Sequence, residues 1–351
     1  ATYNVAVGLN ALTGIRTGDN NTAVGASSGA AITTGASNVA VGQDALASAT
    51  LATNNVAIGT SALVSAEAGE SYNIAIGSLS MGLVKEGTTS ARTADYNIAI
   101  GYKALYGGDL DGTGGDLVKC IAIGHNALDS TTTNDHTGTI AIGHDALTAC
   151  TSAAGNTAIG YLSGDVITDG SNNTLLGHGT DPHASGGAAQ IVIGQGVTGT
   201  GDSIMTVGSG SNTASLGLDG SDTSWAAASS DERLKENIEE STAGLSFVND
   251  LRPVTFNWKK SKDVQKDLPQ YKDSEKPVLG YEYGETLHGF IAQEVKSAID
   301  KHDDIKEGFK MWKLKEDGTE TVADGNLMPV LVKAVQELSK KVEELEAKLS
   351  E

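Results

Sequence analysis

The first two thirds of the chain repeat one short pattern of polar, small and branched positions. The phrase Asn-x-Ala-[Val/Ile]-Gly recurs, as in Asn4 to Gly8, Asn38 to Gly42, Asn97 to Gly101 and Asn156 to Gly160, often extended by x-x-Ala-Leu. Its closing glycines are Gly8, Gly25, Gly42, Gly59, Gly77, Gly101, Gly124, Gly143, Gly160, Gly177 and Gly194, so successive gaps are 17, 17, 17, 18, 24, 23, 19, 17, 17 and 17 residues. A period of this kind predicts a solenoid, here of eleven coils. Three residues before each glycine the side chain is β-branched in all eleven copies, and one residue before it is Val or Ile in ten. These alternate positions form one face of a short strand. Asn and Ala, four and two residues before the glycine, form the other, with Ala in nine of eleven copies. Residues that small predict the close approach of another backbone, most simply a neighbouring subunit. The repeated Asn is expected to form a hydrogen-bonded ladder along the stack, and Gly to supply the corner conformation. At about 4.8 Å per coil the stack would rise roughly 50 Å.

The pattern stops near residue 229. Residues 1–229 hold 37 of the 44 glycines, with 5 Lys and Arg against 18 Asp and Glu; residues 230–351 hold 19 basic and 26 acidic residues and four of the five prolines. Ser230 or Asp231 fits a helix N-cap before an amphipathic run through Leu234 and Ile238. Near the end, Leu331, Val335, Leu338, Val342, Leu345 and Leu349 fall at alternating spacings of four and three, flanked by charged residues. This spacing predicts a coiled-coil helix over about 328–351. Val at one core position and Leu at the other favours dimers by the simple rule, whereas the rod points to trimers.

Composition narrows the classes. A net charge of −20 excludes a protein that tracks nucleic-acid phosphates with a basic stripe. The chain shows no apolar run near eighteen residues and no charged-then-apolar leader, so neither membrane insertion nor a signal peptide is expected. Cys120 stands at a ladder Asn position and Cys150 between coils; two cysteines make no disulfide framework, and both read as small, buried and inert. His125, His144 and His178 each follow a repeat glycine, and Asp145 adjoins His144. Other copies place Leu9, Gln43, Thr60, Tyr102 and Tyr161 there, and no H-x-H or HExxH spacing occurs, so these histidines are expected to be turn-facing polar residues. The expectation is no metal and no cofactor. The two long periods contain insertions, 83–96 and 106–119, with charges and tyrosines. They read either as receptor-touching loops or, more plainly, as insertions that any solenoid tolerates on its outside.

The repeat phrase resembles the head repeats of trimeric autotransporter adhesins and the glycine-rich repeats of bacteriophage tail fibres. Both resemblances imply a parallel β-roll or β-helix assembled as a homotrimer. No barrel strands or aromatic girdle follow at the C-terminal end, which weighs against an autotransporter. A second resemblance begins at Ser230-Asp231-Glu232-Arg233-Leu234-Lys235 and continues through Leu251-Arg252-Pro253-Val254, Phe256, Trp258, His288-Gly289-Phe290-Ile291-Ala292-Gln293-Glu294-Val295 and the helix from Met328. These motifs, in this order, are similar to the C-terminal intramolecular chaperone of phage tail spikes and fibres, the endosialidase-type auto-processing domain. That resemblance implies cleavage of the Ser229–Ser230 bond, with Ser230 as nucleophile and Lys235 as its base. Asp231, Arg233, His288 and Gln293 are possible supporting residues. A lysine acts as a base only when neutral, which burial or a nearby cation such as Arg233 favours. Five residues around a continuous helix leave two side chains about 140° apart, so Ser230 is expected in the turn before the helix with Lys235 folding back.

The sequence therefore predicts a mainly β protein: a homotrimeric parallel β-solenoid shaft over 1–207, a linker or fibre end over 208–229, and a small α+β chaperone over 230–351. The expected function is a phage tail-fibre segment in the virion tail, assembled in the host cytoplasm, whose chaperone aligns three chains and then cuts itself away. Its expected partners are two further copies, a host cell-surface receptor or glycan, and virion tail proteins upstream of Ala1, where the repeat begins without a Met. Alternatives are a tailspike that degrades glycans, which needs paired carboxylates in an aromatic groove, and a cellular trimeric adhesin.

Overall fold

The computed structural model describes residues 1–66, 69–84, 93–107, 115–131, 136–218, 226–227, 232–278, 282–306, 309–315 and 317–350. It divides into two units, Ala1–Leu234 and Lys235–Glu351.

The first unit is a parallel β-solenoid. Its strands are mostly three residues long, and each residue sits on its counterpart in the next coil: Val5 on Thr22, Ala6 on Ala23, Val7 on Val24. The register passes unchanged across a long period, with Ile98 on Ile121 and Ala99 on Ala122. The turns stack as well, for Leu46 N–H donates to the Ala62 carbonyl at 3.0 Å and Ser48 N–H to that of Val64 at 3.2 Å. The strand Ile191–Gln195 pairs parallel with Ile204–Ser209, which folds back antiparallel through Asn212–Gly217 to Ala226–Ala227. Part of the stretch expected as linker or fibre end thus forms a hairpin on the end of the sheet.

The inside of the coil is the small-residue face. Ala23, Ala57, Ala75, Ala99 and Ala158 are completely buried, and they share one core with Leu46, Leu63, Leu105, Leu128 and Leu147 from the x-x-Ala-Leu turns. The branched residues point outward; Ile58 and Ile159 keep 38% and 37% of their surface exposed. This corrects the expectation that alanine faces a neighbouring subunit. A seventeen-residue coil encloses an interior one large side chain wide, and the opposite wall of the same coil is the backbone that comes close. Where size moves from one wall to the other, the complement follows. The strand carries Leu175 in place of Ala, and the turn of the preceding coil carries Gly164, where a Cβ would stand 2.8 Å from both Leu175 Cδ1 and Leu147 Cδ2. Such jigsaw exchange is what near-crystalline packing demands.

The corner glycine is fixed twice over. Gly143 has φ +142°, and a Cβ on it would lie 2.1 Å from the Gly160 carbonyl oxygen of the next coil. The same stacking recurs at Gly8, Gly25, Gly42 and onward. Other left-handed positions in the coil are filled by Asn, Ser, Asp, Leu, Tyr, Lys, Met or Ala, and none of those described is β-branched, as the steric cost of a branched Cβ at positive φ requires. Gly143→Ala should therefore cost more than about 2 kcal/mol, combining backbone strain with a clash that only separating two coils relieves. A denaturant or thermal melt of parent and variant checks this; equal midpoints would show that the coils are not in backbone contact there.

The second unit contains helices α1 (Leu245–Asp250), α2 (Ala292–Asp300) and α3 (Leu327–Ser350) and two antiparallel strand pairs, Val254–Phe256 with Leu287–Gly289 and Trp312–Leu314 with Glu320–Val322. Its core gathers Phe247 of α1, Val295 and Ile299 of α2, Met311, and Val330 of α3. Helix α1 starts at Gly244, which has no capping side chain. Instead Glu337 of α3 accepts a hydrogen bond from Leu245 N–H at 2.8 Å, placing a carboxylate at the positive end of the helix. A Cβ on Gly244 would stand 2.6 Å from that carboxylate, so glycine admits the contact. The residues expected as a coiled-coil seam lie on the other side of α3 and are exposed, Val335 at 65% and Leu338 at 51%.

The helix expected from Ser230 to Ile238 does not form over its described part. A single 3-10 turn, Glu232–Leu234, is followed by irregular chain. Asn237 takes φ +54°, which ends any right-handed helix, and Ile238 is exposed rather than packed. A short amphipathic run whose apolar residue Ile238 stays exposed gains too little burial there to hold a helix.

Candidate functional site

The candidate processing site begins at the junction of the two units. Ser229, Ser230 and Asp231, the expected scissile bond, nucleophile and neighbour, lie outside the described residues. Arg233 sits within the 3-10 turn and Lys235 directly after it, both exposed. His288 lies on the strand Leu287–Gly289, opposite Thr255, and Gln293 in the first turn of α2; both are exposed in this chain. The structure thus brings His288 and Gln293 onto adjoining elements, and the pairing of Ser230 with Lys235 falls outside what is described.

The other motif residues build the frame of the second unit. Arg252 binds Glu294 with two hydrogen bonds, one of them Nε to Oε2 at 2.9 Å, tying the Leu-Arg-Pro-Val segment to α2. The guanidinium holds the Glu294 carboxyl below the usual carboxylate range. Phe256 and Trp258 meet edge to face with ring centres 5.5 Å apart. They line a cavity of about 670 Å³ together with Leu268, Phe290, Gln293 and Val322. Trp258 Nε1 and Gln270 Oε1, which also border it, are buried without a hydrogen-bond partner among the described residues. Nothing in the sequence marks Gln270, which sits in a polar stretch without periodicity.

Residues 230–304 match the family described as Chaperone of endosialidase. This segment is a chaperone-of-endosialidase domain. No curated protein and no solved structure matches the chain. A β-solenoid of about eleven coils followed by a chaperone-of-endosialidase domain fits a phage tail fibre or tailspike with its chaperone at the C-terminal end. Among the described residues no helix is long and apolar enough to cross a membrane.

The rod carries two ladders of its own. Inside, Asn38 Nδ2 donates to Asn21 Oδ1 at 3.0 Å and to the Ala52 carbonyl at 2.7 Å, and Asn55, Asn97 and Asn173 repeat the arrangement with the preceding Asn. These side chains are completely buried and their amides are satisfied by one another and by backbone, which is what makes such burial tolerable. Cys120 and Thr139 occupy two consecutive rungs. Cys120 and Cys150 are both buried, and burial pushes their thiols up to about 11 and about 12, so neither is a ready nucleophile. Outside, the residues after five successive corner glycines stack as rings: Tyr102, His125, His144, Tyr161 and His178, with neighbouring ring centres 4.8 to 5.5 Å apart.

One carboxyl in the rod is strongly perturbed. Burial, with Asp165 beside it, raises Asp181 to about 6. The proton is held more tightly in the folded rod than in the unfolded chain, so the stability Asp181 contributes is complete below the ordinary carboxylate value of 3.8. It falls as pH rises through about 6 and is constant beyond. Asp181→Asn, which keeps the neutral shape, should therefore gain thermal stability over the parent progressively between pH 4 and 7. Melting curves across that range check the trend, and a constant difference would mean that Asp181 is not the group responsible.

Proposed function

We infer that the chain is a tail-fibre segment that works as a homotrimer, aligned by its C-terminal domain and then released from it by a single self-cleavage at Ser229–Ser230. The observation that carries this reading is a pair of outward apolar seams on units whose own cores are already closed. On the rod, the residues flanking each buried Ala, mostly Val and Ile, form a stripe in which Val5, Val7, Ile58, Ile100, Ile159 and Leu176 are at least a third exposed and the others, such as Val39, Ile74 and Ile121, are half-buried. On α3, Leu331, Val335, Leu338, Val342, Leu345 and Leu349 form a second stripe at heptad spacing. Outward aliphatic stripes of this length mark an interface, and both run along elements on which further copies would pack lengthwise.

The cleavage chemistry follows from position. Ser230 directly follows the bond to be cut, so its Oγ attacks the Ser229 carbonyl carbon while the neutral Lys235 amine takes the hydroxyl proton. The proton passes to the Ser230 nitrogen as the peptide bond breaks, leaving an ester between Ser229 and the Ser230 side chain. Water then hydrolyses that ester, giving a new carboxylate at Ser229 and a free amine at Ser230. Lys235 is exposed in the single chain, and a base of this kind needs desolvation. Packing of three chains at the junction supplies it, so assembly precedes cutting. In the virion tail the released rod would then serve as shaft or receptor-contacting surface, joined to other tail proteins. Two insertions that would contact a host receptor or glycan fall largely on residues 85–92 and 108–114, outside the described residues.

Expression of the parent chain and of Ser230→Ala, compared on a denaturing gel, tests the reading. The parent should yield fragments of 229 and 122 residues and the variant one band of 35.8 kDa, and sedimentation of the uncut variant should give three times that mass. An intact parent that sediments as a trimer removes the self-cleavage; a monomer removes the chaperone reading as well.

A further inference from the structure

His125 and His144 are nineteen residues apart and belong to adjacent coils, each directly after its corner glycine. The solenoid stacks their rings 4.8 Å apart and within 8° of parallel. The next residue on each coil is also paired across the step: Asn126 Nδ2 donates to Asp145 Oδ1 at 3.0 Å. The other carboxylate oxygen of Asp145 lies 2.7 Å from His144 Nδ1. One donor atom each from His125, His144 and Asp145 therefore lies within 4.8 Å of the other two. The ladder continues on either side with Tyr102 and Tyr161, whose phenols are poor ligands for a divalent ion at neutral pH, so the donor set is bounded.

The geometry points to a binding site for one divalent transition-metal ion of the zinc class per chain, held by His125, His144 and Asp145. Two imidazoles and a carboxylate suit borderline ions such as Zn²⁺ and Co²⁺, whereas Ca²⁺ and Mg²⁺ take all-oxygen shells. Metal–nitrogen bonds of about 2.1 Å in a tetrahedral shell place donors about 3.4 Å apart. The exposed imidazoles of His125 and His144 reach that spacing about the half-buried Asp145 by small χ rotations, while the stacked backbone stays fixed. Asn126 holds the Asp145 carboxylate in place, as partners outside a metal's own ligands commonly do. Eighteen acidic residues against five basic ones over residues 1–229 favour a cation further.

The location gives the ion a task. Cys120 and Thr139 replace Asn on the same two coils that carry His125 and His144. Cys120 Sγ turns to the His136 carbonyl at 3.2 Å and Thr139 Oγ1 to the Ala153 carbonyl at 3.3 Å, both contacts of another kind than the amide-to-amide rung. The inner rung is changed where the outer donors converge, so a metal here would clamp the two coils from outside across an irregular step.

The absence of a contiguous metal motif does not weigh against this site, since stacking rather than sequence spacing assembles it. The test uses the full chain without a histidine tag. Zn²⁺ is titrated calorimetrically and Co²⁺ by visible absorption, with His125→Gln, His144→Gln and Asp145→Asn alongside; Gln43 and Asn126 show that the rod accepts these residues at equivalent positions. Parent protein should bind one ion per chain, show ligand-field bands with Co²⁺, and melt at higher temperature with Zn²⁺. Each variant should bind at least tenfold more weakly and lose the thermal gain, while His178→Gln behaves as the parent. Failure of the parent to saturate at submillimolar Zn²⁺, or binding by His125→Gln or His144→Gln as tight as the parent's, overturns the site.

Discussion

The rod depends on how closely consecutive coils approach at the corner glycine. With the carbonyl of one coil standing where the Cβ of its neighbour would be, the coil spacing is set by backbone on backbone, and every other feature must fit it. The strands stack residue on residue, the buried amides reach one another at about hydrogen-bond length, and the turns hydrogen-bond coil to coil. The interior that remains admits one large side chain across its width. Leu from the turn and Ala from the strand share it, and the exchange to Leu175 with Gly164 shows the limit being respected from both walls.

A consequence is that the aliphatic residues most favoured in strands have no room inside and line the outside. The sequence period, the corner glycines and the alternation of branched with small residues were all legible, because each is enforced once per coil. The inside of the coil was not. An alternation of two distinguishes two faces but does not say which is enclosed, and Ala is consistent with a narrow interior as well as with another backbone. The deciding fact is the Leu four residues after the glycine, which needs the strand opposite it to be small. The stacking of His125 on His144 was legible, since each follows a repeat glycine and the glycines are nineteen apart; that the Asp145 carboxylate turns back to His144 was not, because side-chain conformation decides it.

In the second unit the motifs were legible as an ordered set, but what most of them do is structural. Arg252 and Glu294 lock two motifs together, Phe256 and Trp258 wall a cavity, and Glu337 caps α1 through a glycine that would otherwise block it. The helix expected after Ser230 does not form over its described part, and Ile238, which meets the helical period, is exposed rather than buried against a surface. The 3-10 turn ends at Leu234, before Lys235, and Asn237 in a left-handed conformation interrupts any right-handed helix soon after. Periodicity states where apolar groups would align; tertiary contact decides whether alignment is worth its conformational cost.

The same regularity that builds the rod leaves its assembly under-determined. Sliding one chain by a single coil within the regular stretches keeps glycine on glycine and preserves the branched stripe, since successive periods there are all 17. Only the steps of 18, 24, 23 and 19, with Cys120 and Thr139 among them, distinguish one register from another. That information lies in the middle of the rod, where it acts after chains have already begun to pair from an end. In the proposed trimer, a domain with its own closed core and an exposed heptad face on α3 would hold three chain ends level before the repeats meet. Without it the competing registers differ by a few contacts out of many, a landscape with too small a gap to select one. With it, the first coil to pair would be the correct one, and each later coil would inherit its register from the coil already paired.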